Sequence, residues 1–164
     1  MTVTIEAIDI TADDFKKFKR LNAAGEIIAT SAKWSVAASL IPIPFLDVAA
    51  LGAIQTNMIV DLASLYDQKV TKQAVRGVIS VLLGTLVPVS ATQFAVTSGA
   101  KLIPGYGTVI GTLSLATFGT AATYSIGKVF VRHFEMGGSV GNFSVNAVQN
   151  DLKKEFAQSA KADN

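Results

Sequence analysis

No acidic or basic residue occurs from Gly77 to Ala100 or from Leu102 to Gly127; Lys101 alone separates the two stretches. Each exceeds the roughly 20 residues that a helix needs to cross a hydrocarbon core of about 30 Å. Between them the chain reads Lys101-Leu102-Ile103-Pro104-Gly105-Tyr106-Gly107, a turn centred on Pro104 and Gly105. The pattern predicts a membrane-embedded helical hairpin (77–100, 102–127). Composition points the same way. Charged residues make up 16% of the chain and hydrophobic ones 50%, whereas soluble domains carry about 25% charge. A net charge of +2 is too small to indicate nucleic acid as a partner. With no cysteine, disulfides, thiolate nucleophiles and Cys-based metal sites are excluded.

Upstream, residues 1–22 form a tail followed by a basic amphipathic helix. Thr11-Ala12-Asp13-Asp14 has the hydroxyl and acids of a helix start. Phe15, Phe18 and Leu21 then recur at helical spacing among Lys16, Lys17, Lys19 and Arg20. Two readings stay open: a helix lying on an anionic membrane face, or a solvated helix whose Phe residues pack on the rest of the protein. The early residues lack the basic and apolar regions of a secretory signal, so they are expected to stay in the cytoplasm. From 23 to 135 we expect one membrane-associated helical domain of two helix–turn–helix units, with turns at 40–47 and 101–107. The first unit (24–66) is a helical pair broken by Pro42 and Pro44, because proline removes a backbone donor and disfavours helix before it. Asp47 falls where the next N-cap is expected. Beyond it, a polar stripe of Asn57, Asp61, Ser64 and Gln68 accompanies an apolar stripe of Val48, Leu51, Ile54, Met58, Leu62 and Leu65.

Positive charge flanks the hairpin: Lys69, Lys72 and Arg76 before it, Lys128 and Arg132 after it. The positive-inside tendency then places both termini in the cytoplasm. Residues 136–164 are a glycine-rich flexible break (Gly137 to Asn142) and a C-terminal amphipathic helix. Its narrow stripe of Val145, Val148, Leu152 and Phe156 needs a partner.

The ordered motifs resemble a known family. Ile41-Pro42-Ile43-Pro44-Phe45-Leu46-Asp47, Gln55-x-x-Met58-Ile59 and Leu62-x-x-Leu65-Tyr66 are similar to the first half of the YcjF-type domain of uncharacterised function. Lys101 to Thr108 and Ala121-x-Thr123-Tyr124-x-Ile126-Gly127 are similar to its second half. The resemblance covers roughly 24–134. It implies a bacterial membrane protein often fused to, or encoded beside, a small GTPase, and it implies no catalytic activity. These residues include no GTPase domain, which moves the expectation toward a stand-alone assembly role.

Candidate chemistry is sparse. Gly127-Lys128-Val129 lacks the upstream glycine and the hydroxyl of a phosphate-binding loop. Gly105-Tyr106-Gly107 has the wrong spacing for a dinucleotide loop. A helix-packing face fits better: Gly107, Gly111, Thr112, Ala116, Gly119 and Thr123 offer small side chains and hydroxyls to a neighbouring helix. That neighbour is either in the same chain or in a second subunit. His133, the single histidine, cannot build a metal site or a triad and is expected at a membrane interface. Asp47 reads as a cap. Asp61, with Asn57 and Ser64, either lines a polar path or meets water at the membrane surface.

The sequence therefore predicts a non-enzymatic integral membrane protein with no cofactor. It would self-associate as a homo-oligomer, acting as a membrane scaffold or shaping protein, or as a docking site for a cytoplasmic partner such as a GTPase. The expected location is the bacterial inner membrane or an intracytoplasmic membrane. A small channel or transporter with its polar face at Asn57, Asp61 and Ser64 is the alternative. A soluble all-helical binding protein is a further one.

Overall fold

Thr11 starts the first helix by accepting the Asp14 N–H while the Asp14 carboxylate accepts the Thr11 N–H, a reciprocal cap that satisfies two otherwise unpaired donors. The computed structural model describes residues 11–40, 46–95 and 106–162, with side chains for 11–40, 49–88 and 116–161. Five α-helices follow in order: α1 (Ala12–Ser39), α2 (Leu46–Leu65), α3 (Lys72–Ala95), α4 (Tyr106–Glu135) and α5 (Val145–Ala162). A 3-10 turn, Val140–Asn142, precedes α5. The all-α expectation holds. Among the described residues, no helix is long and apolar enough to cross a membrane.

Several boundaries differ from the sequence reading. The division at 22/23 falls inside α1, because Ala and straight-chain residues carry the helix across it without a breaker. The hairpin arms also extend into charged sequence: α3 starts at Lys72 and α4 runs eight residues past Gly127, to Glu135. Absence of charge marks an environment and not a helix end. The glycine-rich segment after α4 is an ordered cap. Gly137 adopts φ +79°, and the Gly137 and Gly138 N–H groups donate to the Phe134 and His133 carbonyls, each at 2.9 Å. This is the paired-bond termination that a left-handed glycine permits.

α4 is the axle. It touches α1, α2, α3 and α5, while α1 packs on α2 and α4, and α5 on α4 and α3. α1 and α4 are antiparallel, since Arg20 meets Glu135, Ile28 lies over Gly127 and Ser35 meets Thr123. The core centres on Met58, Leu62, Ile79, Leu82, Ile126 and Phe130. At the loop end Phe130 stacks on Phe143, centroids 4.2 Å apart and planes 6° from parallel. α5 docks through buried Leu152 and Phe156, so the partner of the C-terminal stripe is its own domain. Lys128 and Arg132 reach Glu155 and Asp151 across this contact. Such exposed pairs contribute about 0–1 kcal/mol each, and the buried side chains hold the helix.

One core residue does not fit. Gln55 is fully buried, and among the described residues neither its Nε2 nor its Oε1 has a hydrogen-bond partner. A buried polar group left unpaired costs about 1–3 kcal/mol. Gln55→Leu is therefore expected to raise the unfolding free energy by roughly 1–2 kcal/mol. Urea denaturation of the two proteins reads this directly, and an unchanged or lower value would mean that the amide is satisfied in solution.

Candidate functional site

The five-helix arrangement sorts charge by position along the bundle. Apart from Asp47 near the start of α2, no charged residue lies in 34–39 of α1, 47–60 of α2, 77–95 of α3 or 106–127 of α4. Because α1 and α4 are antiparallel and Leu51 of α2 also reaches Gly119 of α4, these stretches gather at one end. Bulky apolar side chains stand exposed there: Trp34 at 63% and Leu40 at 68%, with Val36 on α1 and Val87 on α3. They stand on two different helices. Lys33 and Trp34 mark the boundary of this uncharged end on α1. A tryptophan and a lysine at such a border pair an apolar body with a wet tip.

The opposite end is tied by a three-residue clamp. Arg20 donates from Nε and Nη2 to the two Glu135 carboxylate oxygens at 2.9 and 3.2 Å, and the Tyr66 hydroxyl donates to Oε1 at 2.8 Å. The guanidinium also lies 5.0 Å from the Tyr66 ring centroid. α1, α2 and α4 are joined at one point. The hydrogen bond from Arg20 holds the Glu135 carboxyl below its ordinary range, with the Tyr66 bond assisting against burial. Burial, then the bond to Glu135, pushes the Tyr66 hydroxyl up to about 12. A depressed carboxyl contributes stability above its unfolded value that is lost as pH falls through its folded one. A raised phenol contributes stability below about 10 that is lost as pH climbs toward about 12. The unfolding temperature is accordingly expected to fall on both sides, below the ordinary carboxylate range and above pH about 10. Glu135→Gln should flatten the acid limb; an acid limb that is the same in both proteins would assign it to other carboxylates.

Between α1 and α2 a groove of about 650 Å³ is lined by Glu26, Thr30, Ser31, Trp34, Asn57 and Asp61, among others. Asn57 and Asp61 are exposed in it, and the exposed Ser64 hydroxyl donates to the Val60 carbonyl of its own helix. These three residues thus lie on an outer surface, open to solvent along α2. Neither Glu26 nor Asp61 forms an ion pair among the described residues. No group of three or more His, Cys, Asp or Glu there is placed to hold a metal ion.

On α4, Gly119 and Thr123 are buried. A Cβ at Gly119 would lie 3.5 Å from Leu51 Cδ1 and Ser35 Cβ, in ordinary contact. Thr123 donates to the Gly119 carbonyl at 2.7 Å and shares a 2.9 Å hydrogen bond with Ser35. These contacts are within one chain. Ala116 is half-buried, and Gly107, Gly111 and Thr112 belong to α4 with surroundings outside the described residues. Pro42, Pro44, Pro104 and Gly105 also lie outside them. Asp47 is the second residue of α2, inside the helix and not at the cap position expected for it. His133 does not sit free at an interface: its Nε2 lies 2.9 Å from the Ser139 carbonyl and 3.1 Å from Asn142 Oδ1. The clamp was missed in the sequence because its members lie 69 and 115 residues apart. Gly127 was missed as a packing residue because it lies at the charged edge of the apolar stretch.

A family described as "Domain of unknown function (DUF697)" matches residues 6–161. The chain belongs to that family. The expectation of a domain of uncharacterised function is met at this level. A curated relative of this DUF697 domain is "Magnetosome membrane protein 22" of Magnetospirillum gryphiswaldense, 41% identical over 122 residues. The match covers 74% of this chain and 63% of the relative, so the domain accounts for less than two thirds of that protein's length. No solved structure matches.

Proposed function

We propose that this DUF697 domain is a non-enzymatic membrane protein, seated in lipid by the uncharged end of its bundle and self-associating on the membrane. The partition of charge along the helices carries the reading. Lipid surrounds an inserted end on all sides, which suits apolar side chains exposed on two helices. Moving the exposed part of each such Val or Leu out of water contributes roughly 0.6–2 kcal/mol. In this pose the arms of the predicted hairpin, now the uncharged part of α3 and the start of α4, enter the bilayer, and the clamp remains outside. The magnetosome membrane relative supports the location, an intracytoplasmic or inner membrane of a bacterium. A cytoplasmic partner, of the GTPase kind that the YcjF-type resemblance implies, would meet the charged end.

Trp34 is the single tryptophan, so its emission reports on this end alone. On adding phosphatidylcholine–phosphatidylglycerol vesicles, the emission is expected to move to shorter wavelength. Lipids brominated along the acyl chain should then quench it. Protein that floats with vesicles while Trp34 stays unquenched would refute seating by this end.

A further inference from the structure

We infer that the outer face of α1 is the contact between two copies of this chain, arranged in parallel. The inward face of α1 is Ala24, Ile28, Ala32 and Ser35, packed on α2 and α4. The outward face carries Phe15, Phe18, Asn22, Gly25 and Ala29, spaced by three and four residues in alternation. That is the seam spacing of two helices wound on one another. Phe15 is 53% and Phe18 62% exposed, and nothing lies within 4 Å of a Cβ built on Gly25.

Lipid does not cover the Phe15, Phe18 and Asn22 end of this seam in the proposed pose, on which the inference rests. Phe18 precedes Trp34 by sixteen residues, about 24 Å of helix, farther than the roughly 15 Å depth of one leaflet's hydrocarbon. Two copies seated in one bilayer by the same end must place their α1 helices parallel, so like residues meet. Gly25 and Ala29 allow the backbones to approach closely. Asn22 pairs with its counterpart, a single polar seam residue of the kind that fixes register. Flanking charges also match. In a parallel pair the residue before the seam at Phe15, Asp14, faces Lys19 of the other copy. Asp14 uses Oδ2 for the cap, which leaves Oδ1 for this bond. Lys19, now 5.0 Å over the Phe15 ring centroid, is at hand.

The cysteine-free chain permits a clean test. Asn22→Cys, Gly25→Cys and, off the seam, Lys17→Cys are each oxidised with copper–phenanthroline on phosphatidylcholine–phosphatidylglycerol vesicles and in buffer. Disulfide-linked dimer is expected for the first two, with at least about tenfold less for Lys17→Cys, a difference near 1.4 kcal/mol. In an antiparallel pair like positions meet only near the crossing point, so comparable yields at Phe18→Cys and Ala29→Cys, about 16 Å apart along the helix, are expected of the parallel pair alone. Equal yields at all three, or none at the seam in protein that floats with vesicles, would overturn the inference. Linking in buffer by protein that does not float would uphold the seam and refute the membrane seating. A nitroxide probe on Phe18→Cys that contacts headgroups, with no dimer, would assign the face to lipid and overturn it as well.

Discussion

Phe130→Ala is expected to lower the unfolding free energy by about 3–5 kcal/mol, the largest single loss in the bundle. Phe130 is fully buried on α4, the helix that touches all the others. Its ring stacks flat on Phe143, after the 3-10 turn, and lies 5.7 Å from Phe134, which in turn lies 5.4 Å from Tyr66. Removing it empties the point where the α4–α5 connection and the clamp region meet. Collapse is resisted by the ordered cap at Gly137, so the cavity persists and its full cost is felt. The measurement is urea unfolding followed by far-ultraviolet circular dichroism. A loss below about 1 kcal/mol would show that the site repacks.

Gly127→Leu is the second large effect, about 3 kcal/mol, and it acts by excess. A Cβ at Gly127 would sit 2.7 Å from Ile28 Cγ1, 2.8 Å from Cδ1 and 3.2 Å from Cγ2. Ile28 is buried, and a β-branched side chain in a helix has one strongly preferred χ1, so it cannot swing clear. Relief comes only by moving α1 away from α4, which strains the Arg20–Glu135 and Ser35–Thr123 contacts on either side. Gly127→Ala should cost less, because alanine returns about 1 kcal/mol of helix propensity. The cause is checked by a double-mutant cycle. Ile28→Ala is expected to cost less in the Gly127→Leu background than in the parent, a coupling of about 1 kcal/mol or more. Additive losses would place the strain elsewhere.

Much of the helical content was legible because its signals are local. Thr11 and Asp14 announce α1, and the stripe of Val145, Val148, Leu152 and Phe156 announces α5. What the sequence hid depends on distance along the chain. Nothing near Glu135 indicates that Arg20 will reach it. The uncharged stretch was read as an element, whereas it records the part of four helices that lies at one end. Gly119 and Thr123 stood out as small residues on a face, yet the same pattern serves a contact within a chain or between chains. The residues themselves do not distinguish the two. Phe15 and Phe18 are each more than half exposed, which argues against the reading that packs them on the described bundle and leaves them to an outside surface.

The helix that acts as axle is fourth to be made. Until residue 135 leaves the ribosome, α1 lacks the surface that covers Ala24, Ile28 and Ala32. At about 5–20 residues per second the nascent chain spends several seconds with three helices showing greasy, unmatched sides. Such a polypeptide is prone to clump during its own birth. Early capture by a holding chaperone, or by the bilayer itself, then becomes part of how the molecule reaches its finished shape.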